Sequence, residues 1–182
     1  NSLRFSQTPQ GFTFKKIYEK HHKNIKIGHC GTLDPFAEGI IIICIGDSLK
    51  EVQKYMNLRK EYNALIRFGN ETDTLDVTGT IIKTANIPKL TKEKINKVIK
   101  SFKGSTLQTP PYYSAKKIFG IKLYKFARKS IFIRKKPEIV NIYDIKLKAV
   151  NKNAISIIIK CGKGTYIRSL GRDIAYKLGS YG

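Results

Sequence analysis

The chain has 182 residues, and its 35 lysines and arginines outnumber its 13 acids to give a formal net charge of +22 at pH 7. That length suits one domain of up to two lobes, able to bury about 70% of its unfolded surface, and the charge points to a polyanionic partner, nucleic acid first, even if compositional drift contributes some lysines. No apolar run approaches the ~18 residues of a membrane span and the polar start lacks the apolar core of a secretory signal, so a soluble protein with no membrane partner is expected.

In chain order, residues 12–22 carry apolar positions at Phe14, Ile17 and Tyr18, a short helical pattern entered through Gly11 and Thr13. Residues 40–45 are rich in β-branched side chains between Gly39 and Gly46 and read as a buried strand; a helix is expected over about 48–56. Residues 61–68 alternate, with Tyr62, Ala64, Ile66 and Phe68 on the inward face of a strand. Residues 69–79 are small and acidic and read as a loop, followed by a strand near 80–83. Thr91 is a good N-cap for a helix over 91–102 with Ile95, Val98 and Ile99 inward. Residues 108–128 mix Pro110-Pro111, Tyr112, Tyr113, four lysines and Arg128, an excursion from the core. Strands over 140–150 and 154–161 flank a turn at Asn151-Lys152-Asn153, and a last helix covers about 166–178. The mixture predicts an α+β fold: a largely antiparallel mixed sheet flanked by helices, with an inserted segment.

The stretch with the strongest chemical character is Gly28-His29-Cys30-Gly31-Thr32-Leu33-Asp34-Pro35. Glycines free the backbone around it, and Pro35 pushes Asp34 out of the helical region, so a carboxylate is presented from a fixed loop; an ordinary Asp-Pro turn is the plain alternative. Cys30, Cys44 and Cys161 are scattered and odd in number, which disfavours a disulfide framework and fits a reducing, cytoplasmic setting. His21, His22, His29 and Cys30 match no metal-ligand spacing, and no metal is expected. Gly162-Lys163-Gly164-Thr165 lacks the spacing of a nucleotide-binding loop.

The order from Gly28 to Lys50 resembles the catalytic signature of TruB-type tRNA pseudouridine synthases. Three further stretches resemble the same family. They are Lys60-Glu61-Tyr62 with Gly69-x-x-Thr72-Asp73-Thr74-x-Asp76-x-x-Gly79, then Gln108-x-Pro110-Pro111-Tyr112-Tyr113-Ser114-Ala115-Lys116, then Cys161-Gly162-Lys163-Gly164-Thr165-Tyr166-Ile167-Arg168-Ser169-Leu170. Near the start, Pro9, Gly11 and Thr13 fit the family pattern, but Thr8 stands where a lysine is expected. The resemblance implies a pseudouridine synthase catalytic domain over 1–182, truncated at its C-terminal end and without an appended RNA-binding domain.

It also implies conversion of uridine 55 in the T-loop of tRNA to pseudouridine by a monomer without cofactor. Asp34 is then the catalytic carboxylate, Arg168 its ionising and orienting partner, and Tyr62 the aromatic that stacks on the flipped base and helps remove the C5 proton. His29, Thr32 and Tyr166 are implied around the substrate, and Lys116, Lys117, Lys122 and Arg128 on the RNA backbone, with an RNA-gripping insertion over about 108–128. Two alternatives stay open: a guide-RNA-dependent synthase with the same signature, and a non-catalytic RNA-binding or RNA-folding module.

Overall fold

The computed structural model describes residues 25–114, 117–118, 121–122, 131, 133 and 136–182, the two short pairs through their backbone alone. The helix expected over 12–22 lies outside the described residues, as do Lys116 and Arg128. The chain divides into two compact units, Asn1–Leu58 and Arg59–Gly182.

In the first unit β1 (Ile27–His29) pairs antiparallel with β2 (Ile43–Ile45), so that His29 faces Ile43. The strand is shorter than the 40–45 expected from composition, because Ile40 is 77% exposed and only Cys44 is fully buried. A 3-10 turn, Gly46–Glu51, leads into α1 (Val52–Asn57). Ser48 starts that turn, its hydroxyl accepting from the Ile45 N–H at 2.7 Å. Gly28 lets β1 lie against the 3-10 turn, since a Cβ there would come 2.7 Å from Leu49 Cδ2.

The second unit is built on a four-stranded antiparallel sheet in the order β3, β10, β9, β6. Its strands are β3 (Lys60–Arg67), β6 (Gly104–Gln108), β9 (Glu138–Val150) and β10 (Ala154–Cys161). The β3 alternation places Tyr62, Ala64 and Ile66 toward the core, as the sequence predicts. Ile155, Ile157 and Ile159 of β10 point the same way, and α2 (Lys92–Lys100) and α3 (Ile167–Leu178) cover them with Ile95, Ile99, Leu170, Ile174 and Leu178. Each buried isoleucine or leucine contributes about 1.5–3 kcal/mol, so this one cluster dominates the stability of the unit. The α2 N-cap is Thr91, whose hydroxyl accepts from the Lys94 N–H at 3.3 Å. Gly179 ends α3 at φ +88°, a left-handed position that suits glycine.

Three elements differ from the sequence reading. Residues 69–79 do not form a plain loop: β4 (Asn70–Thr72) pairs with β5 (Ile81–Thr84), and the turns lie between them. The edge strand β6 was not expected, because Gly104-Ser-Thr-Leu-Gln is polar and short and shows no apolar alternation. The excursion does not start at 108, since Gln108, Pro110, Pro111 and Ser114 are buried in the body of the unit. Beyond them β7 (Lys117–Ile118) and β8 (Ile121–Lys122) pair antiparallel. No helix among the described residues is long and apolar enough to cross a membrane.

Candidate active site

In the first unit the Gly28 to Pro35 stretch leaves β1 as a sequence of fixed turns. The Cys30 N–H donates to the Ile42 carbonyl at 2.8 Å, Gly31 follows at φ +117°, and the His29 Nδ1–H donates to the Gly31 carbonyl. Asp34 then opens a tight turn in which its carbonyl accepts from the Ala37 N–H at 2.9 Å, with Pro35 in the second position that proline prefers. The Asp-Pro turn read from the sequence is therefore present. Asp34 is half-buried, while His29 and Thr32 are exposed. Cys30 and Cys44 are buried thiols, not joined as a disulfide, with their sulfurs in hydrogen-bond contact at 3.3 Å.

In the second unit two of the candidate side chains, Tyr166 and Arg168, stand at the start of α3. Tyr166 is the N-cap residue, extended at φ −94° and ψ 109°, and its own side chain caps nothing. Arg168 follows in the first turn, where the positive end of the helix dipole disfavours a cation. Acceptors around the guanidinium offset this. Its Nη1 donates to the Thr74 carbonyl at 2.6 Å, its Nη2 to the Tyr113 carbonyl at 2.9 Å, and Nη1 lies 3.4 Å from Asp76 Oδ2. The side chains of Arg168 and Asp76 are each only 8% exposed, so the pair is shielded from solvent.

The turns between β4 and β5 are shaped to hold Asp76. Its N–H donates to Thr72 Oγ1 at 3.1 Å, while its Oδ1 accepts from Thr74 Oγ1 and from the Thr78 N–H, each at 2.9 Å. Leu75, between the two residues that meet Arg168, sits at φ +59°, a conformation that side-chain-bearing residues rarely adopt and that local hydrogen bonding must hold. Gly79 closes the loop because a Cβ there would lie 2.5 Å from Asp73 Oδ1. Asp73 in turn accepts from the Thr80 N–H at 2.9 Å and from the Tyr113 hydroxyl at 3.3 Å.

A family model described as "TruB family pseudouridylate synthase (N terminal domain)" matches residues 15–167. The chain belongs to this family. Among similar curated proteins of the TruB family, the tRNA pseudouridine synthase B of Clostridium tetani is 43% identical over 173 residues, which is 95% of this chain and 60% of that protein. The tRNA pseudouridine synthase B of Francisella philomiragia is 45% identical over 177 residues, 95% of this chain and 59% of that protein. This chain thus spans about three fifths of the curated relatives it matches. Among solved structures, a Cbf5-Nop10-Gar1 complex matches with a TM-score of 0.69 at 24% identity, covering 99% of this chain and 44% of that one. That likeness carries the fold.

For this TruB-family chain the sequence-derived site residues fall as follows. Tyr62 is half-buried in β3 opposite Ile159 and packs against the core cluster. Tyr166 and Arg168 stand together at the start of α3, and Thr165 is fixed beside them by its hydroxyl donating to the Gly162 carbonyl at 3.0 Å. The backbones of Lys117 and Lys122 face each other across the β7–β8 pair. Sequence reasoning missed Asp76, although it quoted the motif that contains it; a carboxylate ringed by threonines is the signal that was there. It missed Gln108 as well, whose carboxamide meets the Tyr166 backbone. Ser114 is 4% exposed, and its hydroxyl is the one fully buried side-chain polar atom without a hydrogen-bond partner among the described residues. No group of three or more His, Cys, Asp and Glu side chains there converges as a metal site.

Proposed function

We infer that this chain is the catalytic part of an RNA isomerase that converts uridine 55 in the T-loop of tRNA to pseudouridine. The observation that carries this reading is the match to proteins named tRNA pseudouridine synthase B over 95% of the chain. The reaction breaks the C1′–N1 bond, turns the uracil and joins C5 to C1′, with the C5 proton released to solvent and one proton taken up at N1. Atoms balance without an external donor, and no cofactor is invoked. Asp34 supplies the carboxylate that assists departure of the base and meets the electron-poor sugar carbon, chemistry akin to glycoside cleavage. Arg168 keeps that carboxylate ionised and oriented; its preformed carbonyl and Asp76 contacts support a guanidinium whose geometry is set before RNA arrives. Tyr62 stacks on the flipped base and Tyr166 lines the pocket, with stacking offsetting the few kcal/mol lost on flipping. His29 and Thr32 meet the RNA around the vacated position. Lys116, Lys117, Lys122 and Arg128 hold the phosphates. The protein works as a monomer in the cytoplasm on the T-arm.

The test is release of tritium from an unmodified tRNA transcript labelled at uridine C5, run on the parent chain and on Asp34→Asn. The parent releases tritium without any guide RNA; Asp34→Asn folds, binds the transcript as well and releases none. Retention of turnover within about tenfold, roughly 1.4 kcal/mol of barrier, removes Asp34 from the chemistry. Release only when a guide RNA is added points to the guide-dependent class. Binding with no release under either condition points to a non-catalytic RNA module.

A further inference from the structure

We propose that Gln108 is the positioning residue for Tyr166 and Arg168, an inference that rests on the isomerase reading above. Gln108 is the last residue of β6 and is 3% exposed. Its Oε1 accepts from the Tyr166 N–H at 2.8 Å and its Nε2 donates to the Tyr166 carbonyl at 3.0 Å. The two partners fix which end of the carboxamide is which, since an N–H needs an acceptor and a carbonyl needs a donor. One planar amide thus reads both edges of one peptide residue, much as a neighbouring strand would. The Tyr166 carbonyl also accepts the first intrahelical bond, from the Leu170 N–H at 3.1 Å, so the clamp grips the residue from which α3 starts.

The N-cap side chain makes no capping hydrogen bond and the first turn has no acid. The next residue after Gln108 adds one contact, with the buried Ser169 hydroxyl donating to the Thr109 carbonyl at 2.8 Å. Gln108 is in addition the junction between the edge of the sheet and the segment whose Tyr113 carbonyl meets Arg168. A shift or rotation of Tyr166 at the clamp moves the Tyr166 ring and the Arg168 guanidinium together, and misplacements near 1 Å cost rates on the order of 100-fold. Gln108 touches neither base nor sugar in this scheme; it acts through the two residues it holds.

The chemistry of the clamp supplies a test that simple packing does not pass. Gln108→Glu has the donor and acceptor pattern of glutamine only while protonated; ionised, it turns a second oxygen on the Tyr166 carbonyl. Burial and that carbonyl both raise its pKa above the usual ~4.3, into the range of assay. The single-turnover rate at saturating C5-tritiated tRNA transcript, taken relative to the parent chain, is expected to rise about tenfold from about pH 8 to about pH 5.5. Gln108→Met, which cannot titrate, is expected to be slow at every pH with transcript affinity within about threefold of the parent. A flat ratio for Gln108→Glu together with a Gln108→Met rate within about twofold of the parent overturns the proposal, as does a loss confined to affinity. If Gln108→Glu does not fold, Gln108→Met decides by the same split between rate and affinity. If the parent itself releases no tritium, the isomerase reading fails, and amide exchange at residues 166–170 judges the clamp. Protection that falls with rising pH in Gln108→Glu alone supports it, and equal protection in all three chains overturns it.

Discussion

Removing the charge of Asp76 tests the assembly at the start of α3 most directly. Asp76→Asn keeps the volume and an Oδ1 for Thr74 and Thr78, but sets an amide or a neutral oxygen against Arg168 Nη1 where a carboxylate lay 3.4 Å away. At an effective dielectric near 20 that pair is worth about 5 kcal/mol before any compensation. The Thr74 and Tyr113 carbonyls remain on the guanidinium, so the net loss is expected near 2–4 kcal/mol, somewhat below the ~3–5 kcal/mol usual when one partner of a buried pair is removed. For a chain of this size that lowers Tm by roughly 5–15 °C. Calorimetry measures it, alongside single-turnover tritium release well below Tm. The rate is expected to fall more than about 100-fold while transcript affinity stays within about threefold, because Arg168 is misaimed and the lysine contacts are untouched. A variant with Tm within about 2 °C of the parent and a rate within about threefold refutes the claim that Asp76 fixes Arg168.

Two further outcomes follow from groups elsewhere in the second unit. Ser114→Ala deletes a buried hydroxyl that has no hydrogen-bond partner among the described residues, so stability is expected to hold or rise by about 1 kcal/mol in calorimetry; a Tm lowered by more than about 2 °C refutes this. At alkaline pH the cluster of Glu71, Lys83 and Tyr176 weakens. Glu71 is buried, with Lys83 Nζ 2.8 Å from its Oε1 and the Tyr176 hydroxyl donating to its Oε2. The Glu71 and Tyr176 hydrogen bonds raise the Lys83 pKa above 10.5, and burial, then the Glu71 bond, raises that of Tyr176 above 10.0. Both groups hold protons more tightly when folded, so their stabilisation is complete below about pH 10 and is lost as pH rises through the folded values. Tm is expected to drop more between about pH 9 and 11 in the parent than in Tyr176→Phe; equal drops remove the cluster from the alkaline transition.

Much of the second unit was legible in the sequence because its signals are local. The period-2 alternation of β3, the Thr91 cap of α2, the strand runs of β9 and β10 and the span of α3 each follow from neighbours within a turn or two. Where the local signal was thin the boundaries moved. β2 keeps only Ile43–Ile45, and the short polar β6 is a strand because β9 offers it an edge, with Thr106 opposite Val140.

The sequence by itself determined the family, through motifs spread from Gly28 to Leu170, and named Tyr62, Tyr166 and Arg168 as the residues to examine. Only the tertiary structure decided what surrounds them in the second unit. Arg168 meets Thr74 across 94 residues, Gln108 meets Tyr166 across 58, and Arg168 meets Tyr113 across 55. Such contacts leave no period in a sequence, because a carbonyl acceptor is present at every residue and any side chain that reaches it serves. Packing chooses among them: the buried Gln108 and the shielded Asp76 had to find partners for their polar groups, and those partners are the backbone and guanidinium at the start of α3.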